Sequence, residues 1–472
     1  MGVKTRDHSC PPRMQVPHFL SSTFRTRSDT ISLVLLICLA LATVSFYAYS
    51  VPQVYLRIRD AKQLAARQME AFSQWIANDT NDTWESTDHR DKNGSVAGGS
   101  HPGDDWPTKS PLEVCVGSNQ TIGEVEDLFC MPRPNYEPDF KNPCWWETVT
   151  NTTGGQPLDL PSRELRCLPY FHILCCSKSG TTDLYWRIAQ HPDIVPNVGY
   201  FGKEQLFWAW LKNGFLGKWN KGPSKPFIDY INGFQSIANY LSNDTMPVKQ
   251  KTQLVTLDGS PLDMWDLRGW ILLPQNRGLR EPQVMTPHLM RHLYRDPKFI
   301  VLMRDPVERL YTAYLFHKMG NNSESFHLAV VKAIAMFDDC LAHAPSRREC
   351  YFNGSVIEHL PADVHFNCYA VFIKEWLAVF PWKHFLFMRT EDYSKNLKSS
   401  LLEVFRFLDL PLPDKRTMKK MVELPIAHHT QEKDSAGAML PETRALLRKY
   451  VEPCNAELAA LLKDEKYLWK DV

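Results

Sequence analysis

PYFHILCCSKSGTTDLYWRI, residues 169–188, is the stretch whose reading decides the fold. Its opening apolar run, residues 171–176, has the length of one buried strand. A polar turn follows over Ser177, Lys178, Ser179, Gly180, Thr181 and Thr182, and behind it Leu184, Tyr185, Ile188 and Ala189 mark a helix. Strand, short glycine-containing loop and helix together turn backbone N–H groups and a positive dipole end toward an anion. Lys178 adds a full charge, and the four hydroxyls can donate to phosphate or sulfate oxygens. An isolated loop of this composition would be an ordinary solvated turn; the flanking strand and helix shift the reading to an anion site. The ATP/GTP loop G-x-x-x-x-G-K-[ST] is absent, because Lys178 precedes the lone Gly180 by two residues. That spacing argues against an ordinary P-loop kinase.

Working outward, KFIVLM at residues 298–303 is the clearest strand in the chain, and it delivers Arg304-Asp305-Pro306-Val307-Glu308-Arg309. Asp305 fits a helix N-cap, Pro306 the first helical position, and Glu308 the far end of a capping box. Arg309 and Thr312 lie three apart on one helix face, so they are expected to meet a shared ligand. Two strand-to-helix anion sites in one sheet suit a ligand with two separated phosphates. Adenosine 3′-phosphate 5′-phosphosulfate (PAPS) is such a ligand. Further strands are expected at residues 194–200, 253–257 and 384–388. Helical periods run over residues 227–241, 286–295, 325–342, 366–380 and up to 408, with another from 441 to 462 broken at Pro453. Strands alternating with helices signal an α/β fold, here a P-loop-like parallel sheet flanked by helices.

The 472 residues carry a net charge of +1, which gives no global drive toward nucleic acid, so an anionic partner must meet a local basic patch. No charge appears between Asp29 and Arg57, and the apolar stretch is long enough for the ~30 Å hydrocarbon core of a bilayer. A cleaved signal peptide would have a shorter core, about 7–15 residues. Twelve cysteines and eight N-x-S/T sequons, at Asn78, Asn81, Asn93, Asn119, Asn151, Asn243, Asn321 and Asn353, point to an oxidising, glycosylating compartment on one side of that stretch. The expected organisation is a cytosolic tail at 1–29, a transmembrane signal anchor at 30–51, a lumenal stem at 52–110 and a folded lumenal domain at 111–472. That is a single-pass type II membrane protein. The stem is rich in Gly, Ser, Asp and Asn and cannot bury a core. Cys115, Cys130, Cys144 and Cys167 suggest a disulfide-tied lead-in, Cys340 and Cys350 a pair around a loop, and Cys175 and Cys176 buried thiols in the core strand. Cys368 and Cys454 have no evident partner. Trp208 and Trp210 could stack on sugar rings, but core packing is the expectation; His428 and His429 lie in a polar stretch that could close over a ligand, but are expected as solvated loop histidines.

The segments CSKSGTT, KEQLFW, DGSPLDMW, KFIVLMRDPVERLYTAY and FLFMRTEDY, with NPCWWE before them and MLPET after, resemble in order the Golgi carbohydrate sulfotransferases over roughly residues 111–472. The resemblance implies the sulfotransferase fold and PAPS as sulfuryl donor. It also implies that Lys178, Ser179, Gly180, Thr181 and Thr182 hold the 5′-phosphosulfate and that Arg304 and Thr312 meet the 3′-phosphate, where most members place Ser at the position of Thr312. It further implies that Glu204 is the catalytic base, with Lys203 beside it. The implied acceptor is a sulfated glycosaminoglycan, the 6-hydroxyl of 4-sulfated GalNAc in chondroitin or dermatan sulfate, and the implied location is the Golgi membrane. Chemistry is consistent with those roles: a carboxylate takes the proton of the attacking hydroxyl, and cations such as Lys178 and Lys203 stabilise the departing oxygen. No metal is required for such a transfer, and no HExxH or paired CxxC cluster is present. On the residues alone, Lys203-Glu204 reads as a surface pair at a helix start; the resemblance reverses that reading. The rival readings are a sulfotransferase for another glycan such as heparan sulfate, a lumenal kinase on the same sheet, and a non-catalytic glycan-binding protein.

Overall fold

The computed structural model describes residues 112–116, 125–149, 152–153, 156–157, 162–197, 199, 202–216, 218, 221–243, 245–427 and 432–471. The expected tail, anchor and stem, the sequons at Asn78, Asn81, Asn93, Asn119 and Asn151, and the pair His428 and His429 lie outside them. Among the described residues no helix is long and apolar enough to cross a membrane.

Among the described residues, apart from a short antiparallel pair at Thr152–Thr153 and Gln156–Pro157, seven strands organise the fold: β1 (Cys144–Val149), β2 (Ser162–Cys167), β3 (Phe171–Cys175), β4 (Ile194–Val195), β5 (Val255–Asp258), β6 (Lys298–Met303) and β7 (Phe385–Arg389). β1 and β2 form an antiparallel pair in which Cys144 faces Cys167 across the ladder, and the two are joined by a disulfide. The other five make one parallel sheet in the order β4-β5-β3-β6-β7. β3 is buried along its whole length, as a central strand covered on both faces must be.

The two faces of β6 show why the pattern folds this way. Phe299, Val301 and Met303 enter one core, with Tyr311, Trp376 and Phe385. Ile300 and Leu302 enter the other, with Leu184, Ile188, Leu401 and Phe405. Alternation at period two sends successive side chains to opposite faces. Each fully buried aliphatic or aromatic side chain contributes about 1.5–3 kcal/mol, so helices are held on both sides of the sheet. The helices Thr181–Ile188 and Leu397–Phe407 cover one face, and Pro306–Phe316 and Tyr369–Leu377 the other.

Register places the functional loops. Cys175 pairs with Leu302, and Met303 pairs with Arg389. The residues that follow each of these, from Cys176, from Arg304 and from Thr390, therefore emerge together at the carboxyl edge of the sheet. In open α/β sheets that edge, at the point where strand order reverses, is where ligands bind.

Several expectations are corrected by the structure. Cys175 and Cys176 are both buried, as expected; Cys175 adopts φ +96°, and the chain turns there at the end of the strand. Cys368 finds Cys454, while Cys115–Cys130 and Cys340–Cys350 are also bonded. The period over 227–241 divides into the helices Phe227–Asn232 and Gln235–Ser242, interrupted at Gly233 and Phe234. The helix Pro441–Leu462 runs through Pro453 unbroken. The missing N–H costs one backbone bond, but Cys454 is tied down by its disulfide, and Val451, Asn455 and Leu458 are buried around the proline.

Candidate active site

At the end of β3 the chain turns through Lys178, at φ +70°, and Gly180, at φ +86°, into the helix Thr181–Ile188. Gly180 is the N-cap residue and offers no side chain, so the first-turn N–H groups depend on something other than a capping side chain. Ser179 is fully buried, and among the described residues nothing hydrogen-bonds its Oγ. The Lys178 ammonium lies 3.6 Å from the centre of the Phe316 ring.

The second loop meets the first directly. Arg304 donates through Nη1 to the carbonyl oxygen of Lys178 at 3.0 Å, and the same nitrogen lies 3.4 Å from Thr312 Oγ1. Asp305 caps the helix Pro306–Phe316 by accepting from the Val307 N–H, as the sequence predicts. The capping box does not close. The Asp305 N–H donates to Glu391 Oε1 at 2.9 Å, and the Glu308 carboxylate binds Arg444 and Lys433 instead. Arg309 also departs from expectation. It is buried, donates to Asn367 Oδ1 at 2.7 Å and lies over the Phe366 ring, so the residue that shares Thr312's surroundings is Arg304.

Lys203 and Glu204 approach from the β5 side. The Lys203 ammonium donates to Glu204 Oε1 and to the Gly259 carbonyl, both at 2.6 Å. Lys203 is almost wholly buried, whereas the Glu204 side chain is 24 % exposed. The carboxylate therefore faces the opening and the ammonium stands behind it. Burial pushes the Lys203 ammonium below its usual range, while Glu204 and Asp258 pull it back up. Asp258, at the tip of β5, is pushed up to about 6 by burial, against the hydrogen bonds from Ser260 and Tyr230. Gly259 must be small: a Cβ there would stand 2.9 Å from Tyr185 Cδ2 and 3.2 Å from the Lys203 carbonyl oxygen.

One cavity of about 770 Å³ gathers these groups. Lys178, Gly180, Thr181, Thr182, Lys203, Glu204, Arg304 and Thr312 all line it. Of the sequence-predicted residues, Ser179 and Arg309 are buried and do not line it.

Three contributors escape a sequence reading. Thr390 Oγ1 lies 2.7 Å from the Ser179 carbonyl and 2.9 Å from the Met303 carbonyl, so its single proton is shared between the loop after β3 and the tip of β6. Asp183 accepts from Arg187, from Tyr393 and from the Ala427 N–H, which fastens residues 421–427 to the loop's helix. Trp210 lies at the cavity wall, where core packing is expected, and donates to Asp266 Oδ2 at 2.7 Å. The signals present in sequence were the RTEDY and DGSP segments after two strands, but their partners are 50 to 250 residues distant.

A family model described as "Sulfotransferase domain" matches residues 171–451, more than half of the chain. The chain is 29 % identical over 402 residues to Carbohydrate sulfotransferase 15 of Homo sapiens, covering 75 % of this chain and 70 % of that protein. To the Mus musculus protein of the same name it is 32 % identical over 386 residues, covering 73 % and 67 %. Among solved structures, the sulfotransferase from Alicyclobacillus acidocaldarius superposes with a TM-score of 0.40 at 17 % identity, over 63 % of this chain and 96 % of the other.

Proposed function

The chain belongs to the sulfotransferase family, and on that premise we propose that it transfers a sulfuryl group from PAPS to a glycosaminoglycan hydroxyl, the 6-hydroxyl of 4-sulfated GalNAc in chondroitin or dermatan sulfate. The observation that carries the proposal is the single cavity lined by both anion loops and by the Lys203–Glu204 pair. A carbohydrate acceptor is supported by the relatives' name; its narrower identity rests on the resemblance of the matching segments alone.

In this reading the 5′-phosphosulfate rests on the loop 178–182, where the helix N-terminus and Lys178 face it. The 3′-phosphate rests on Arg304 and Thr312. Glu204 accepts the proton of the sugar hydroxyl as the new S–O bond forms and the bond to the phosphate oxygen breaks. The negative charge left on that phosphate oxygen is met by Lys178 and the loop N–H groups. Lys203, with two of its three N–H donors engaged, is assigned to holding the Glu204 carboxylate in place. Placement as a single-pass type II protein of the Golgi membrane belongs to the same proposal and rests on the charge-free segment and the sequons.

Incubating the full chain with labelled PAPS and a panel of chondroitin, dermatan, heparan and keratan acceptors tests it. Label is expected in chondroitin or dermatan sulfate. Absence of transfer to every acceptor excludes the enzyme, and transfer to heparan alone excludes the GalNAc assignment.

A further inference from the structure

Lys178 is held at both ends by residues of the second loop and its helix. Its carbonyl oxygen accepts from Arg304 Nη1 at 3.0 Å, and its ammonium lies over the Phe316 ring, 3.6 Å from the ring centre. A cation within about 6 Å of a ring centroid is attracted by the negative face of the π system, so this contact is a close one.

Phe316 is the last residue of the helix Pro306–Phe316, four positions beyond Thr312, and residues four apart share a helix face. Lys178, Arg304, Thr312 and Phe316 all line the cavity that also holds Glu204. The five residues before it in the helix, Tyr311 to Leu315, are buried, whereas Phe316 is 43 % exposed. One exposed apolar side chain is ordinary on a protein surface. This one is set apart by the cation on its face and by the His317 imidazole packed edge-on against it, with ring centroids 5.1 Å apart.

We propose that Phe316 is a positioning residue for sulfuryl transfer: its ring face holds the Lys178 ammonium at the cavity, in the pose from which that ammonium meets the phosphate oxygen leaving the sulfur. The proposal rests on the sulfuryl-transfer reading above. A lysine ammonium rides on a flexible four-carbon stem, and fixing such a side chain costs rotamer entropy. A ring that fixes it before the donor arrives removes that cost from the chemical step. A carboxylate in the same place would also hold the ammonium, but it would cancel the charge. The ring is neutral and leaves the charge to act on the oxygen where negative charge develops.

The test measures single-turnover transfer by the full chain from saturating labelled PAPS to whichever acceptor of the panel above the wild type sulfates. Phe316→Leu is expected to lower the rate about 2- to 30-fold, the span of a cation–π contact. Phe316→Tyr, which keeps a ring face, is expected to retain the wild-type rate. The Phe316→trifluorophenylalanine variant keeps the shape of the ring but draws electrons from its face. It is expected to lose rate as the leucine variant does, and it decides the matter where the leucine variant does not fold. In a Lys178→Ala background, Phe316→Leu is expected to change nothing further, because the two side chains act through one contact. A wild-type rate with the fluorinated ring overturns the proposal. So does an equal loss from Phe316→Leu with and without Lys178, the mark of a ring that serves packing alone. Both results require wild-type turnover and leave the sulfotransferase reading standing, whereas absence of wild-type transfer to every acceptor overturns the two together.

Discussion

Glu204→Gln is expected to reduce sulfuryl transfer about 10²–10⁴-fold, the usual contribution of a positioned general base, while donor affinity stays nearly unchanged. The amide keeps the size of the carboxylate, and its carbonyl oxygen can still accept from the Lys203 ammonium that now lies 2.6 Å away. What it cannot do is take up the proton of the attacking hydroxyl. Lys203 is the residue most exposed to the change, because burial already lowers its pKa and Glu204 is the strongest influence raising it. Steady-state kinetics with labelled PAPS gives the rate, and calorimetry with the product nucleotide PAP gives the affinity. Wild-type kcat in the variant would falsify the assignment of the base, and loss of PAP binding would give Glu204 a structural role.

Arg304→Ala is expected to weaken PAP binding about 10- to 150-fold, the range for one charge-assisted hydrogen bond of about 1.5–3 kcal/mol. Arg304 has a second duty, since it also donates to the Lys178 carbonyl at 3.0 Å. A loosened loop and a lost phosphate contact are told apart by a second ligand. Adenosine 5′-phosphosulfate lacks the 3′-phosphate, so its affinity is expected to fall much less than that of PAP in the variant. Equal weakening for both nucleotides would mean that Arg304 serves the loop alone.

Much of the scaffold was legible because it depends on local pattern. Residues 298–303 form a strand over the predicted span, since six consecutive residues rich in buried apolar side chains suit a central parallel strand. Asp305 caps and Pro306 starts the following helix through contacts within three residues. Where the reading failed, a distant partner had won. The capping box at Glu308 lost to Arg444 and Lys433, more than a hundred residues away, and to Glu391, which takes the Asp305 N–H. Arg309 satisfied the helical spacing with Thr312, but the buried Asn367 claims its guanidinium. Pro453 was a sound local signal for a break, but the Cys368–Cys454 bond and the packing around it hold the helix together.

The site followed the same division. The two loops that line the cavity, after β3 and after β6, were visible as strand-to-helix junctions, because each is continuous in sequence. Lys203-Glu204 looked like an ordinary exposed pair, and only family resemblance marked it. Its setting is long-range: Gly259 clasps Lys203, and Asp258 lies behind it. Thr390 is the clearest case, a threonine after a strand whose hydroxyl joins the carbonyls of Ser179 in a loop and of Met303 at the tip of β6. Nothing near it in sequence names those partners.

The most direct measurement of the central claim is a crystal structure of the chain soaked with PAP. The expected result places the 5′-phosphate against the loop 178–182, the 3′-phosphate against Arg304 and Thr312, and the Glu204 carboxylate facing the open side of the 5′-phosphate. PAP bound elsewhere, or with neither phosphate on these two loops, would contradict it.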